Sequence, residues 1–197
     1  DRMRLVGRSA EADIIIDDPA FALEHARLER HGDRILLRDL GSAASPFNAF
    51  LVAQGLETLS LRVERHLENA RAVAEHLHGH AQVTSVRWAS LPDDPFHDLA
   101  QKYTPKGAGA VLSFEIEGGE EAGRRFVEGL SLHSHVANIG DVRSLAIHPW
   151  STTHSQGADE GRYAAGVTPG LVRLAVGIEH IDDILADLEQ GFVAAAG

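Results

Sequence analysis

The chain changes its hydrophobic period once, within Leu37–Phe50, and that change constrains the fold more than any other feature. Before it lie short β-branched runs separated by turn residues. After it, apolar residues recur every three to four positions, the spacing of one helix face. Within the stretch, Gly41 and Ser42 break the strand pattern. Ser45 followed by Pro46 then starts a helix, because the serine oxygen can accept an orphan amide hydrogen and proline's fixed φ suits the first helical position. The expected organisation is therefore a β segment over residues 1–42 and a helix-rich domain over residues 43–197.

The first segment predicts strands at Met3–Val6, Asp13–Asp17, His25–Glu29 and Arg34–Leu40. Four short strands need further strands to close a sheet. The run GRSAEADIIIDDPAFALEHARLERHGDRILLRDLGS resembles the central part of a forkhead-associated (FHA) domain, a β-sandwich that binds phosphothreonine peptides. The resemblance implies Arg8 as a phosphate-contacting arginine and His25 as a loop-bracing histidine. Ala22 and Leu23 stand where that family has its phosphate-binding Ser and neighbouring Arg, and no Asn-Gly-Thr turn follows Ser42. A phosphopeptide module is thus the lesser reading, with Arg8 on a solvated turn and His25 packing locally as the alternative.

From Pro46 the helical period takes over. Helices are expected over 46–54 and about 58–79, the second carrying Val63, Leu67, Ala70, Val73, Ala74 and Leu77 on one stripe. Strands are expected at Val83–Trp88, Ala110–Ile116, Val136–Ile139 and Leu171–Val176. Short helices fall at Asp98–Tyr103 and Glu120–Leu130, a long loop at Thr152–Gly170, and a closing helix carries Ile181, Ile184, Leu185, Leu188 and Phe192. Strands alternating with helices predict an α+β fold: a small mixed or antiparallel sheet with helices on one face, led by a long N-terminal helix pair.

Composition narrows the function. A formal net charge of −11 opposes nonspecific nucleic-acid binding, and residues 1–42, with 7 basic and 9 acidic side chains, hide no basic module. No apolar run approaches the ~18 residues of a membrane span, and no signal-peptide core is present, so the expected location is cytoplasmic. The chain has no cysteine, which removes thiolate nucleophiles, disulfides and thiolate metal ligands. Its twelve histidines are densest at His133, His135, His148 and His154, with an i, i+4 pair at His76 and His80, yet no HExxH pattern accompanies them. They read as core and surface residues, and no metal is expected. No GxSxG elbow supports a serine nucleophile.

One residue stands apart. Arg173 interrupts the apolar strand LVRLAVGIE, where a guanidinium is costly unless an anion meets it. A structural ion pair, with Glu179 or an aspartate, and a ligand-binding role are equally compatible with the residues alone.

A second resemblance bears on this choice. The runs SPFNAFLVAQGLETLSLRVERHLENARAVAEHL, AQKYTPKGAGAVLSFEIEGGEEAGRRF, HVANIGDVRSLAIHPWSTTHSQ and GVTPGLVRLAVGIEHIDDILADLEQGF resemble the C-terminal domain of the O-acetylhomoserine sulfhydrylases, in the pyridoxal-phosphate-dependent transsulfuration family. The resemblance covers Ser45 to Phe192 and implies a fold-type I small domain, an amino-acid substrate of methionine and cysteine biosynthesis, and a homo-oligomer. It implies that Arg173 grips the substrate α-carboxylate, that Asn138, Ile139 and Gly140 form a loop contacting it, and that Ser151, Thr152 and Thr153 form a substrate-facing turn. Trp150 replaces a small residue of the family's His-Pro-Ala-Ser-Thr and is expected to narrow access. The Schiff-base lysine and cofactor cradle belong to the family's large domain, and Lys102 and Lys106 lie in a different context. The chain alone is therefore expected to bind no pyridoxal phosphate and to be inactive without a large domain. Whether it is an enzyme stays open at this point. Because Arg38–Ser42 fits both resemblances, the junction also reads as a crossover point in a chimera whose parental activities need not survive.

Overall fold

The computed structural model describes residues 46–197 in full and, of residues 1–45, only the backbone of four strands. Those strands are β1 (Arg4–Gly7), β2 (Ile14–Ile15), β3 (Ala26–His31) and β4 (Arg34–Asp39), ordered β2-β1-β3-β4 in one sheet. β1 and β2 run parallel; β3 pairs antiparallel with both β1 and β4. Each lies within two residues of its expected position. Arg8, His25 and the Ser45 cap lie outside the described residues, as does the packing of Arg34–Leu40.

The chain divides into two compact units, residues 1–57 and 58–197. Helix α1 (Pro46–Glu57) therefore groups with the strands, not with the helix that follows, as the expected helix pair would have it. None of its residues is buried, and the expected stripe of Phe47, Phe50 and Leu51 is exposed.

The second unit opens with α2 (Leu59–His78), twenty residues free of glycine and proline that end at Gly79. There follow β5 (Val83–Arg87), α3 (His97–Tyr103), β6 (Val111–Ile116), α4 (Gly119–Glu128), β7 (Leu145–Ile147), α5 (Asp159–Ala164), β8 (Leu171–Ala175) and α6 (Ile181–Ala196). The four strands form one antiparallel sheet in the order β5-β6-β8-β7. Side chains alternate across a pleated strand, so Leu112, Phe114 and Ile116 of β6 and Val172 and Leu174 of β8 share one face. Against it pack Ala70, Val73, Ala74 and Leu77 of α2, Ala122, Phe126 and Val127 of α4, and Ile184, Leu188 and Phe192 of α6. Phe114, Phe126 and Phe192 meet edge-on or tilted at 4.8–6.0 Å, a geometry that suits aromatic quadrupoles. Each such fully buried side chain stabilises by roughly 1.5–3 kcal/mol.

Two expectations fail here. Val136–Ile139 is an irregular loop, because Gly140 turns the chain at φ +78° and only Ser134 bridges to a strand, at Leu145. The fourth strand is instead β7, whose three residues are all buried and so leave no alternation to read. The supposed loop Thr152–Gly170 contains α5, tied down by Arg162, which donates to the carbonyls of His154 (2.9 Å) and Ser155 (2.6 Å). No helix among the described residues is long and apolar enough to cross a membrane.

Candidate functional site

Helices α2, α4 and α6 pack on one face of the sheet, and the other lines a cleft. Register decides which side chains stand there. Arg87 of β5 pairs with Ser113 of β6, Ser113 with Arg173 of β8, and Arg173 with Ile147 of β7, so one row crosses all four strands. The row borders a cleft of about 510 Å³, with Val111, Val167 and Leu171 as apolar wall and Thr153 and His154 at one side.

Arg173 is half-buried and, among the described residues, no carboxylate pairs with it. Glu179, the expected partner, is engaged elsewhere, accepting from the Ser144 amide at 2.6 Å and the Ser144 hydroxyl at 2.9 Å. The guanidinium donates to the Asn138 carbonyl at 3.2 Å. Asn138 in turn folds back to accept from the Ile139 amide at 2.8 Å. A half-buried guanidinium oriented by a carbonyl and without a carboxylate partner among the described residues has the hydrogen-bonding geometry and charge to accept an anion. Asn138 thus joins Arg173 through its backbone. Ile139 and Gly140 stand apart, lining a neighbouring apolar cavity of about 240 Å³ with Val63, Leu67 and Ala110.

Beneath the Ser151–Thr153 turn lies buried His148. Its Nε2–H donates to the Pro169 carbonyl (2.7 Å) and its Nδ1 accepts from the Ser151 hydroxyl (2.8 Å). Burial pushes this ring below the usual histidine pKa, against the pull of the Pro169 carbonyl, so the neutral tautomer holds both bonds at neutral pH. Thr152 donates to the His148 carbonyl at 2.7 Å, which leaves Thr153 as the member of the turn that lines the cleft. Trp150 does not obstruct it: the indole is buried away from the cleft, donates to Glu120 at 3.0 Å and carries Arg162 over its ring at 4.5 Å. The expectation of narrowed access is corrected accordingly.

Two residues lining the cleft, Arg87 and Ser113, carried no sequence expectation. Arg87 had a usable signal, since its neighbour Trp88 is the kind of side chain a core takes and adjacent strand residues face opposite ways. Neither of the chain's two lysines lines the cleft. Lys102 sits over the Tyr103 ring at 5.1 Å on exposed α3, and Lys106 borders a groove along α2 with Glu64, Glu68 and Arg71. The described residues therefore do not fit a Schiff-base site for a pyridoxal cofactor. Nor does any group of three His, Cys, Asp or Glu side chains among them gather as a metal site.

The family model for Cys/Met metabolism PLP-dependent enzymes matches residues 14–193. The chain belongs to this family. The chain is 55% identical over 159 residues to the O-acetyl-L-homoserine sulfhydrylase of Corynebacterium glutamicum, covering 81% of this chain and 36% of that one. It is 52% identical to the homocysteine synthase of Schizosaccharomyces pombe, over 81% of this chain and 37% of that one. It thus spans little more than a third of these curated relatives. A putative O-acetylhomoserine (thiol)-lyase of Campylobacter jejuni, solved with a pyridoxyl-lysine phosphate, superposes with a TM-score of 0.72 at 42% identity, over 79% of this chain and 37% of that one. Cystathionine gamma synthase of Xanthomonas oryzae pv. oryzae, solved with cystathionine, gives 0.72 at 48% identity, over 80% and 40%. The match to the Cys/Met metabolism family begins at residue 14 and runs through the 42/43 junction without a break, which leaves the FHA and chimera readings unsupported.

Proposed function

We propose that residues 58–197 form a fold-type I small domain that supplies the substrate-carboxylate half-site of a pyridoxal-phosphate-dependent O-acetylhomoserine sulfhydrylase. One observation carries the reading: Arg173 faces a cleft, oriented by the Asn138 carbonyl and free of any carboxylate among the described residues. In this role Arg173 binds the substrate α-carboxylate through two parallel N–H···O bonds, and the apolar wall of Val111, Val167 and Leu171 packs the side-chain methylenes. Thr153 and His154, 3.0 Å apart at the edge, offer polar contacts to the γ-substituent. The relatives' names, sulfhydrylase and homocysteine synthase, support the substrate class. The Schiff base must come from a polypeptide region other than the residues described, since neither lysine faces the cleft.

Titrating O-acetyl-L-homoserine into the chain while following amide NMR shifts tests the half-site. Saturable shifts are expected around Arg173 and Asn138, and Arg173→Gln weakens binding about tenfold, the usual effect of losing one charge-assisted contact. Shifts that survive Arg173→Gln at full affinity contradict the assignment. A second check uses the cofactor: after incubation with pyridoxal phosphate and borohydride, mass spectrometry should find only scattered, substoichiometric adducts. A stoichiometric adduct on Lys102 or Lys106 would show that the chain carries its own aldehyde site.

A further inference from the structure

We propose that Arg162, seated on Trp150, is a positioning residue for the γ-substituent end of the cleft, so that the chain selects an acylated homoserine over the free alcohol. This deepens the proposed function and rests on Thr153 and His154 meeting the γ-substituent. Of residues 153–166 every one is exposed except Arg162, whose side chain is 14% exposed. Its guanidinium spreads its donors over the backbone that carries the cleft edge. Nε donates to the His154 carbonyl at 2.9 Å and Nη2 to the Ser155 carbonyl at 2.6 Å. The Arg162 carbonyl in turn accepts from the Val167 amide at 2.9 Å. One residue thus holds the main chain of two members of the cleft lining, His154 and Val167.

A cation withdrawn from water needs compensation. The carboxylate beside it, Asp159 at 3.4 Å, is 72% exposed on the same helix and contributes little. The compensation comes instead from the two carbonyls and from the Trp150 ring, whose centroid lies 4.5 Å from the guanidinium. Trp150 is itself fixed: it is buried, donates through Nε1 to Glu120 of α4 at 3.0 Å and is flanked by the Tyr163 ring at 5.5 Å. Support therefore passes from α4 through Trp150 and Arg162 to His154. A small residue at position 150 would remove the seat. At the cleft edge the Thr153 hydroxyl and His154 Nδ1 stand 3.0 Å apart. With Thr153 donating, the neutral His154 ring carries its proton on Nε2, a donor for an ester carbonyl. L-Homoserine lacks that carbonyl, and the contact discriminates only while the backbone of His154 is held in place.

The test compares O-acetyl-L-homoserine with L-homoserine by NMR titration of the full chain. The ester is expected to bind about fivefold more tightly, the usual effect of one added hydrogen bond. Arg162→Gln should bring the ratio to about one and speed hydrogen exchange at the Gly157 amide, which donates to the same His154 carbonyl at 3.1 Å. Arg162→Lys, which keeps the charge without the planar fork, should retain part of the ratio. Trp150→Phe, which keeps a ring face for the cation, should retain most of it. Arg173→Gln should weaken both amino acids and leave the ratio as it was. A ratio that stays near fivefold in Arg162→Gln, even with faster exchange at Gly157, or that is already near one in the unaltered chain, overturns the positioning role and leaves the Arg173 half-site standing. If Arg173→Gln changes neither affinity, or neither amino acid binds saturably, the half-site reading itself falls and the positioning role with it.

Discussion

Replacing Asp187 by Asn lowers the stability of the second unit by about 3–5 kcal/mol, the range seen when one member of a buried charged network is removed. The α6 carboxylate is 2% exposed and accepts five hydrogen bonds. Three come from the Ser131, Leu132 and His133 amides at 2.7, 2.9 and 3.0 Å, one from the Ser131 hydroxyl at 2.9 Å and one from His133 Nδ1 at 2.7 Å. Asn offers one acceptor oxygen and turns an NH₂ toward donors, so buried N–H groups lose their partner. Burial alone would raise the Asp187 pKa, but the His133 ring and the three amides outweigh it and hold the carboxyl at about 2, against an ordinary 3.8. A pKa lowered on folding stabilises above the unfolded value and loses that stabilisation as pH falls through the folded one. This group therefore contributes about 2 kcal/mol above pH 3.8 that disappears as pH falls toward 2. Urea unfolding at pH 7 and pH 3 checks both parts: Asp187→Asn should shift the midpoint strongly at pH 7 and less at pH 3. A cost below about 1 kcal/mol at pH 7 would refute the hub. The consequence reaches the site, because residues 131–133 lead directly into the loop whose Asn138 carbonyl orients Arg173.

Gly177→Ala should be comparably damaging, at about 3 kcal/mol or more, because the new methyl meets backbone that cannot yield. A Cβ at this position would clash with a Glu179 carboxylate oxygen and the Ser144 amide nitrogen, and stand 2.6 Å from the Arg143 carbonyl carbon. That closeness is built by hydrogen bonds on every side. Gly177 donates to the Ser144 hydroxyl at 2.9 Å, and its carbonyl accepts from Asn69 of α2 at 3.0 Å. Asn69 also donates to the Glu179 carbonyl, while His66 donates to the Val176 carbonyl at 2.6 Å. The turn thus fastens the end of β8 to α2 and to the start of β7, and with them the row that carries Arg173. Gly161→Ala is the control. It lies in α5 with nothing within 4 Å of its Cβ position, and should change stability by no more than ~1 kcal/mol. Equal unfolding midpoints for the two variants would show that the Gly177 turn relaxes freely.

The sequence by itself determined every element whose periodicity is long or clean. The stripe of α2 and the closing stripe of α6 were legible because three- and four-residue spacing over many turns has no competing reading. The strand β6 was equally legible, since one buried and one half-buried face produce a strict alternation. Arg173 could be singled out because a cation in an apolar strand is expensive wherever that strand lies. Its purpose could not, since a carboxylate partner and a ligand look the same in one dimension. Only the tertiary structure removes Glu179 as its partner, by committing that carboxylate to Ser144 and leaving the guanidinium on a cleft. The same holds for β7, buried on both faces, and for Trp150, whose buried placement against Glu120 depends on a helix 30 residues away in sequence. Asp187 shows the limit most plainly: as one of several acids on an amphipathic helix it reads as solvated, and folding alone brings it to three amides and a histidine. Local pattern records which face a residue takes; the identity of the partner across the core is a long-range contact that no spacing encodes.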